Sequence, residues 1–221
     1  MRPQSARLLA WYSKGANRVK ITCIGHSGFL VELDGYNLIF DYYTDEKGVI
    51  TPEVFKGKRT CVFVSHNHYD HYSKGIFEWA EFGEVAYVLE NDCDADREVF
   101  RVGEGDELAL FDGHIEVKAY GSTDEGVSFL VKAGDVCIFH AGDLNDWHWT
   151  GEMNAGELAE MEAGYLRVLD RLVGTDIDVA FIPRDRRLRE HAERGIKSFE
   201  KIVGARKIVP MHFPGNAGVV Y

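Results

Sequence analysis

Four residues able to bind a metal fall within six positions at His66-Asn67-His68-Tyr69-Asp70-His71, directly after the apolar run Cys61-Val62-Phe63-Val64. Neutral imidazole and carboxylate are borderline ligands suited to zinc, iron or manganese, and a catalytic centre keeps one position open for water. If the strand continues past Val64, side chains alternate: His66 and His68 share a face while Asn67 turns into the protein. Asp70 and His71 follow where the chain turns, within reach of a second position. The spacing therefore points to two neighbouring metals, and no ordinary core or surface needs such a composition.

Strand-like runs recur at 19–24, 29–33, 37–41, 60–64, 85–89, 114–120, 128–131, 136–139, 179–182 and 207–211, separated at several points by Gly and Asp, as at Asp34-Gly35 and Gly134-Asp135. The strongest helical signal comes later, where Leu158, Met161, Tyr165, Val168, Leu169 and Leu172 recur at helical spacing before Gly174. A second helix is expected over 189–203, with Ile196, Phe199 and Val203 on one face and Gly204 behind it. Shorter helical pieces fit at 74–82 and around 53–55. Two groups of strands, each flanked by helices, are compatible with a layered α+β protein.

With 221 residues, 45% of them hydrophobic, the chain is long enough for one well-buried domain and short for two, so a single domain over 1–221 is expected. Lys and Arg number 25 against 36 Asp and Glu, a formal charge of −11 that repels phosphate backbones and argues against nucleic acid as a partner. Arg184, Arg186, Arg187 and Arg189 leave room for a locally basic cleft. Cys23, Cys61, Cys93 and Cys137 lie far apart, without CxxC spacing, and read as free buried thiols. The apolar part of the N-terminal stretch is too short for a signal segment, and no run approaches a membrane span. A cytoplasmic protein acting on a small molecule, with no membrane partner and open to homo-oligomerisation, fits these features.

The HxHxDH pattern after a hydrophobic strand resembles the metallo-β-lactamase superfamily. Ile138-Phe139-His140-Ala141-Gly142-Asp143 is similar to that family's bridging-Asp motif, and Val209-Pro210-Met211-His212 to its final His, in the expected order. The stretches 21–31 and 37–41 are similar to the opening hairpin of the branch that contains ascorbate-phosphate lactonases. The resemblance covers about 19–213, and it implies an αββα sandwich of two mixed β-sheets flanked by helices. The ligands it implies are His66, His68, Asp70, His71, Asp143 and His212 around two divalent ions, zinc first, with manganese or iron as alternatives. Asp70, His71 and His212 would complete one position, with Asp143 shared. The other departs from the family: the lone His due near 117–129 is missing, because none occurs between His114 and His140. His114 follows Asp112-Gly113, a turn at the wrong end of its strand. Ser122, Asp124, His148 or water would have to substitute, so this first position is expected to be weak and occupancy unequal.

Two further places could border such a centre. The turn Gly25-His26-Ser27-Gly28 could put His26 in the pocket, and Tyr43 could line its rim as a substrate contact. In Asn145-Asp146-Trp147-His148-Trp149, the tryptophans either pack the loop down or make Trp147 a pocket wall, with His148 as proton donor, substrate contact or replacement ligand. His140 reads as a core or supporting histidine, and His191 as part of a solvated helix face.

The chemistry implied is hydrolysis by a metal-activated hydroxide on a small ester, lactone or phosphoester, with Asp70 orienting the nucleophile or taking its proton and His148 assisting the leaving group. No nucleophile-elbow motif competes with it. The alternatives are a metal-binding sensor or scaffold without hydrolytic activity, or a di-iron redox protein on the same fold.

Overall fold

The computed structural model describes residues 8–14 and 17–213. The chain divides after Val102 into two compact units. Among the described residues no helix is long and apolar enough to cross a membrane.

The first unit holds a mixed sheet in sequential order: β1 (Leu8–Lys14), β2 (Asn17–Gly25), β3 (Gly28–Glu32), β4 (Tyr36–Phe40), β5 (Arg59–Val64), β6 (Val85–Glu90) and β7 (Phe100–Val102). Pairing is antiparallel from β1 to β4 and parallel from β4 to β7. The parallel part needs crossovers, supplied by a helical turn α1 (Pro52–Phe55) and a 3₁₀ helix at Lys74–Glu81. Phe29, Val31, Leu38, Ile39, Phe40 and residues Cys61 to Val64 are fully buried, the near-continuous apolar reading of strands covered on both faces. Gly28 opens β3 because a Cβ there would stand 3.0 Å from the carbonyl oxygens of both Asp41 and Gly25.

The second unit carries β8 (Glu107–Leu110), β9 (Ile115–Gly121), β10 (Val127–Ala133), β11 (Val136–His140), β12 (Val179–Pro183) and β13 (Lys207–Met211), in the spatial order β13-β12-β11-β10-β9-β8. Here β8 to β11 pair antiparallel and β11 to β13 parallel. Helix α2 (Ala155–Asp170) forms the first crossover and starts with a capping box. Asn154 Oδ1 accepts from the Gly156 and Glu157 N–H groups, while Glu157 Oε2 accepts from the Asn154 N–H at 2.7 Å. Its buried stripe, Tyr165, Val168 and Leu169, is the one the helical spacing predicts.

The helix expected over 189–203 is broken. A 3₁₀ segment at Arg186–His191, itself kinked at Arg189, whose φ of 54° lies outside helical space, precedes α3 (Arg194–Ile202), which starts at the N-cap Glu193. In the basic cluster beside it, Arg184 pairs with Glu193 at 2.9 Å and Arg187 with Asp185.

Candidate metal centre

In the first unit β5 stops at Val64, so His66 and His68 are not strand neighbours and Asn67, expected to point inward, is exposed. The ladder ends because the Ser65 N–H donates to Asp41 Oδ1, at 2.8 Å. Asp41 directly follows the parallel neighbour β4, is fully buried, and sits at φ 41°. Its other oxygen, Oδ2, accepts from the Ser65 hydroxyl at 2.7 Å and faces His71 Nδ1 at 2.8 Å. Ser65 Oγ also lies 2.9 Å from His66 Nδ1. Since the serine proton goes to the carboxylate, His66 Nδ1 must be the donor to Ser65, and His71 Nδ1 the donor to Asp41. Both rings are thereby set as the Nδ1–H tautomer, and the nitrogen each can offer a metal is Nε2.

The imidazoles gather closely. Ring centroids of His66 and His71 are 4.2 Å apart, those of His66 and His68 4.6 Å, and those of His26 and His71 5.0 Å. His26 is buried at φ 47° in the β2–β3 turn, with Nε2 3.6 Å from Asp70 Oδ2 and its ring 6.3 Å from that of Tyr43. Tyr43 is half-buried, and burial followed by the Asp70 charge pushes its hydroxyl pKa up, so it stays protonated. His68 is exposed and Asp70 half-buried on the turn closed by the His71 and Tyr72 N–H groups, which both donate to the His68 carbonyl.

The second unit repeats the device. Asp143 follows β11, Asp185 follows β12 and His212 follows β13. All three are buried, and His212 adopts φ 64°. His212 Nδ1 lies 3.0 Å from Asp185 Oδ2 and its Nε2 3.4 Å from Asp143 Oδ1. Positive φ at Asp41, His26 and His212 is strain that a fold retains where geometry matters more than local stability.

Burial disfavours charge on His212, yet the Asp143 and Asp185 carboxylates outweigh it and raise its pKa to about 9. Asp185 answers in kind: burial pushes it up, but hydrogen bonds from His212 and Arg187 hold it well below the usual carboxylate range. At neutral pH without metal, His212 is an imidazolium, a cation held where Asp143 can partner it. Its folded pKa lies above the ordinary 6.5, so its stabilisation is complete below about pH 6.5 and is lost as pH rises through about 9. This contribution is roughly 3 kcal/mol. The metal-free protein is expected to lose Tm across that window and His212→Gln to flatten the loss; an equally steep profile in His212→Gln would refute the assignment.

The expected substrate contact Trp147 is 2% exposed. Its Nε1–H donates to the Asp143 carbonyl at 2.8 Å, it stacks on Trp149, and its ring lies 5.1 Å from that of His212. It braces the loop that carries Asp143 and does not line a rim. His148 and His191 place their ring centroids 4.0 Å apart, so His191 is half-buried against a partner and not on a freely solvated face. Burial, then the neighbouring His191 and Arg194, lowers the His148 pKa, which favours a neutral ring and weighs against proton donation. His140 is buried, its Nδ1 accepting from the Gly142 N–H at 3.2 Å.

Where the lone His is missing, Ser122 Oγ accepts from the Asp124 N–H and Asp124 is exposed, while His114 is exposed at the far end of β9. Asp41, Ser65 and Asp185 carry no signature in the sequence. The one available hint is a carboxylate closing the apolar run Leu38-Ile39-Phe40.

A model of the Beta-lactamase superfamily domain matches residues 20–152, running across the division between the units. A UPF0173 metal-dependent hydrolase of Pyrococcus horikoshii is 27% identical over 214 residues, covering 88% of this chain and 84% of the relative. Another, of Hyperthermus butylicus, is 23% identical over 207 residues, covering 86% and 81%. Among solved structures, a metallo hydrolase of Ignicoccus hospitalis is 17% identical with a TM-score of 0.63, covering 89% of this chain and 83% of that one; at this identity it speaks for fold alone. The family model spans more than half of the chain, and the two mixed sheets with flanking helices agree with it: this chain is a member of the β-lactamase superfamily, with the metallo-β-lactamase fold.

Proposed function

We propose that the protein is a metal-dependent hydrolase of a small ester, lactone or phosphoester, its metal held by His66, His68, Asp70, His71, Asp143 and His212. The observation that carries this reading is the fixing of Nδ1 in His66, His71 and His212: the first through Ser65 to Asp41, the second by Asp41 directly, the third by Asp185. A carboxylate behind an imidazole orients Nε2 and raises its basicity towards a cation, an arrangement a buried structural histidine does not need. The donor set of imidazole nitrogen and carboxylate oxygen suits zinc, with manganese or iron as substitutes.

When bound, the metal lowers the pKa of water towards ~7 and polarises the scissile oxygen, so no protein nucleophile is needed. Asp70, half-buried with its Oδ2 3.6 Å from His26 Nε2, takes up the proton of the attacking water. Tyr43, protonated beside Asp70, donates a hydrogen bond to a substrate oxygen. With no imidazole at 122–124, two metals would be held unequally. The net charge of −11 favours small substrates over polyanions.

The test is elemental analysis and assay of chelator-treated protein against a lactone, a nitrophenyl ester and a phosphodiester. Activity should vanish with the metal and return with zinc or manganese. Metal uptake with no turnover of any of the three would favour a sensor or scaffold, and retention of iron alone would favour redox chemistry.

A further inference from the structure

The loop that carries Asp143 rests on α3 through contacts that metal ligation does not itself require. On one side, the Thr123 hydroxyl donates to the Asn145 carbonyl at 2.6 Å and accepts from the Asn145 N–H at 3.0 Å, so the turn after β9, where the family keeps its lone His, here clamps the loop backbone. On the other, Asp146 is buried and its Oδ2 accepts from Arg194 Nε at 2.8 Å, with Arg194 also reaching Glu162 of α2. Between these anchors the Asn145 side chain, 1% exposed, lies over Gly195 in the first turn of α3. A Cβ at 195 would stand 1.9 Å from Asn145 Oδ1 and 3.1 Å from its Cγ. Gly195 is itself held, since its carbonyl accepts from the Tyr165 hydroxyl at 2.9 Å. Its backbone is helical, so space and not conformational freedom is what calls for glycine here. Among the described residues neither polar atom of the Asn145 side chain has a hydrogen-bond partner, so the cleft left by Gly195, and not a bond of its own, sets where that side chain lies.

We propose that Gly195 and Arg194 are positioning residues for Asp143: the start of α3 fixes Asn145 and Asp146, and through them the carboxylate two residues upstream. The Leu144 N–H donates to the Ala141 carbonyl and closes the turn that carries Asp143, so a displaced Asn145 moves Asp143 with it. This rests on the reading of Asp143 as a metal ligand. Gly195→Ala must push Asn145 aside, and Arg194→Lys replaces a directed Nε–H bond with an ammonium that cannot reproduce its geometry.

The experiment uses the full chain. Zinc affinity is measured by competition with a chelating dye, and near-ultraviolet circular dichroism of the metal-free protein reports the Trp147–Trp149 stack. Gly195→Ala should keep its far-ultraviolet spectrum, change the tryptophan signal, and bind zinc roughly 10–100-fold more weakly, the range for lost support of a ligand. Adding Asn145→Ala removes the atoms in collision and should restore affinity, a rescue that simple destabilisation would not give. Arg194→Lys should weaken binding as well. A folded Gly195→Ala protein with altered tryptophan signal and wild-type zinc affinity overturns the proposal, as does a folded double variant without rescue. Should Gly195→Ala not fold, wild-type affinity in Arg194→Lys overturns it instead. A wild-type chain that binds no zinc would fail differently, by removing the hydrolase reading itself.

Discussion

Asp143→Ala is expected to reduce hydrolysis to the background rate while leaving both sheets folded. The side chain follows β11 on a turn, and its removal deletes no ladder bond. It does delete a ligand the family motif implies, and it also strips His212 Nε2 of the carboxylate 3.4 Å away. Two consequences separate this from general damage. The metal content of the purified variant should fall along with its turnover, and the pKa of His212, deprived of one of the two carboxylates that raise it, should drop towards its ordinary value. Imidazole titration by NMR in the metal-free state would read the second effect independently of activity. Turnover surviving at more than a trace, with metal still bound, would end the hydrolytic mechanism argued above.

Asp41→Asn should be the most damaging change at a residue that itself touches no metal. One carboxylate here accepts from the Ser65 N–H, the Ser65 hydroxyl and His71 Nδ1, so it sets two imidazoles together. An amide offers one acceptor oxygen and turns an N–H₂ towards a donor, leaving at least one buried group unsatisfied at about 1–3 kcal/mol. For a chain of this length each kcal/mol lowers Tm by roughly 2–4 °C. Metal affinity should fall about 10–100-fold. Ser65→Ala loosens only His66 and should give a smaller loss. Calorimetry with metal titration on both variants checks the order. Equal losses would mean that Asp41 acts through fold stability alone.

How far the site could be read from the chain depends on how improbable each residue is in an ordinary setting. His66 to His71 stand out because nothing bland requires so many ligands together, and Asp143 and His212 became visible only as later members of a series. Asp41 and Asp185 stayed hidden because a lone Asp after a strand is among the commonest turn residues. Only the coordinates reveal that each is buried with an imidazole on it. The strands at 60–64, 136–139 and 207–211 were legible from continuous apolar runs. In contrast, β7 and β8 are short and largely exposed, so they carry little alternation, and β1 lies in a stretch weighed for targeting alone. The kink at Arg189 is a backbone dihedral with no Pro or Gly to mark it. Trp147 was legible as unusual but ambiguous in role, since an aromatic anchor and an aromatic wall have the same sequence.

In each unit the candidate carboxylates and imidazoles leave from the carboxyl ends of adjacent parallel strands: β4 and β5 in the first, β11, β12 and β13 in the second. Neighbouring strands lie about 4.7–4.9 Å apart whatever their sequence. The backbone ladder is therefore a ruler for where each turn begins, and the side chains close what remains: His212 leaves β13 and Asp143 leaves β11, two strands apart, yet their side-chain atoms come within 3.4 Å. Surface loops elsewhere can lengthen or change without altering those starting points. A one-residue insertion within β5 or β13 would turn every following side chain to the opposite face and misplace the donors by a full graduation.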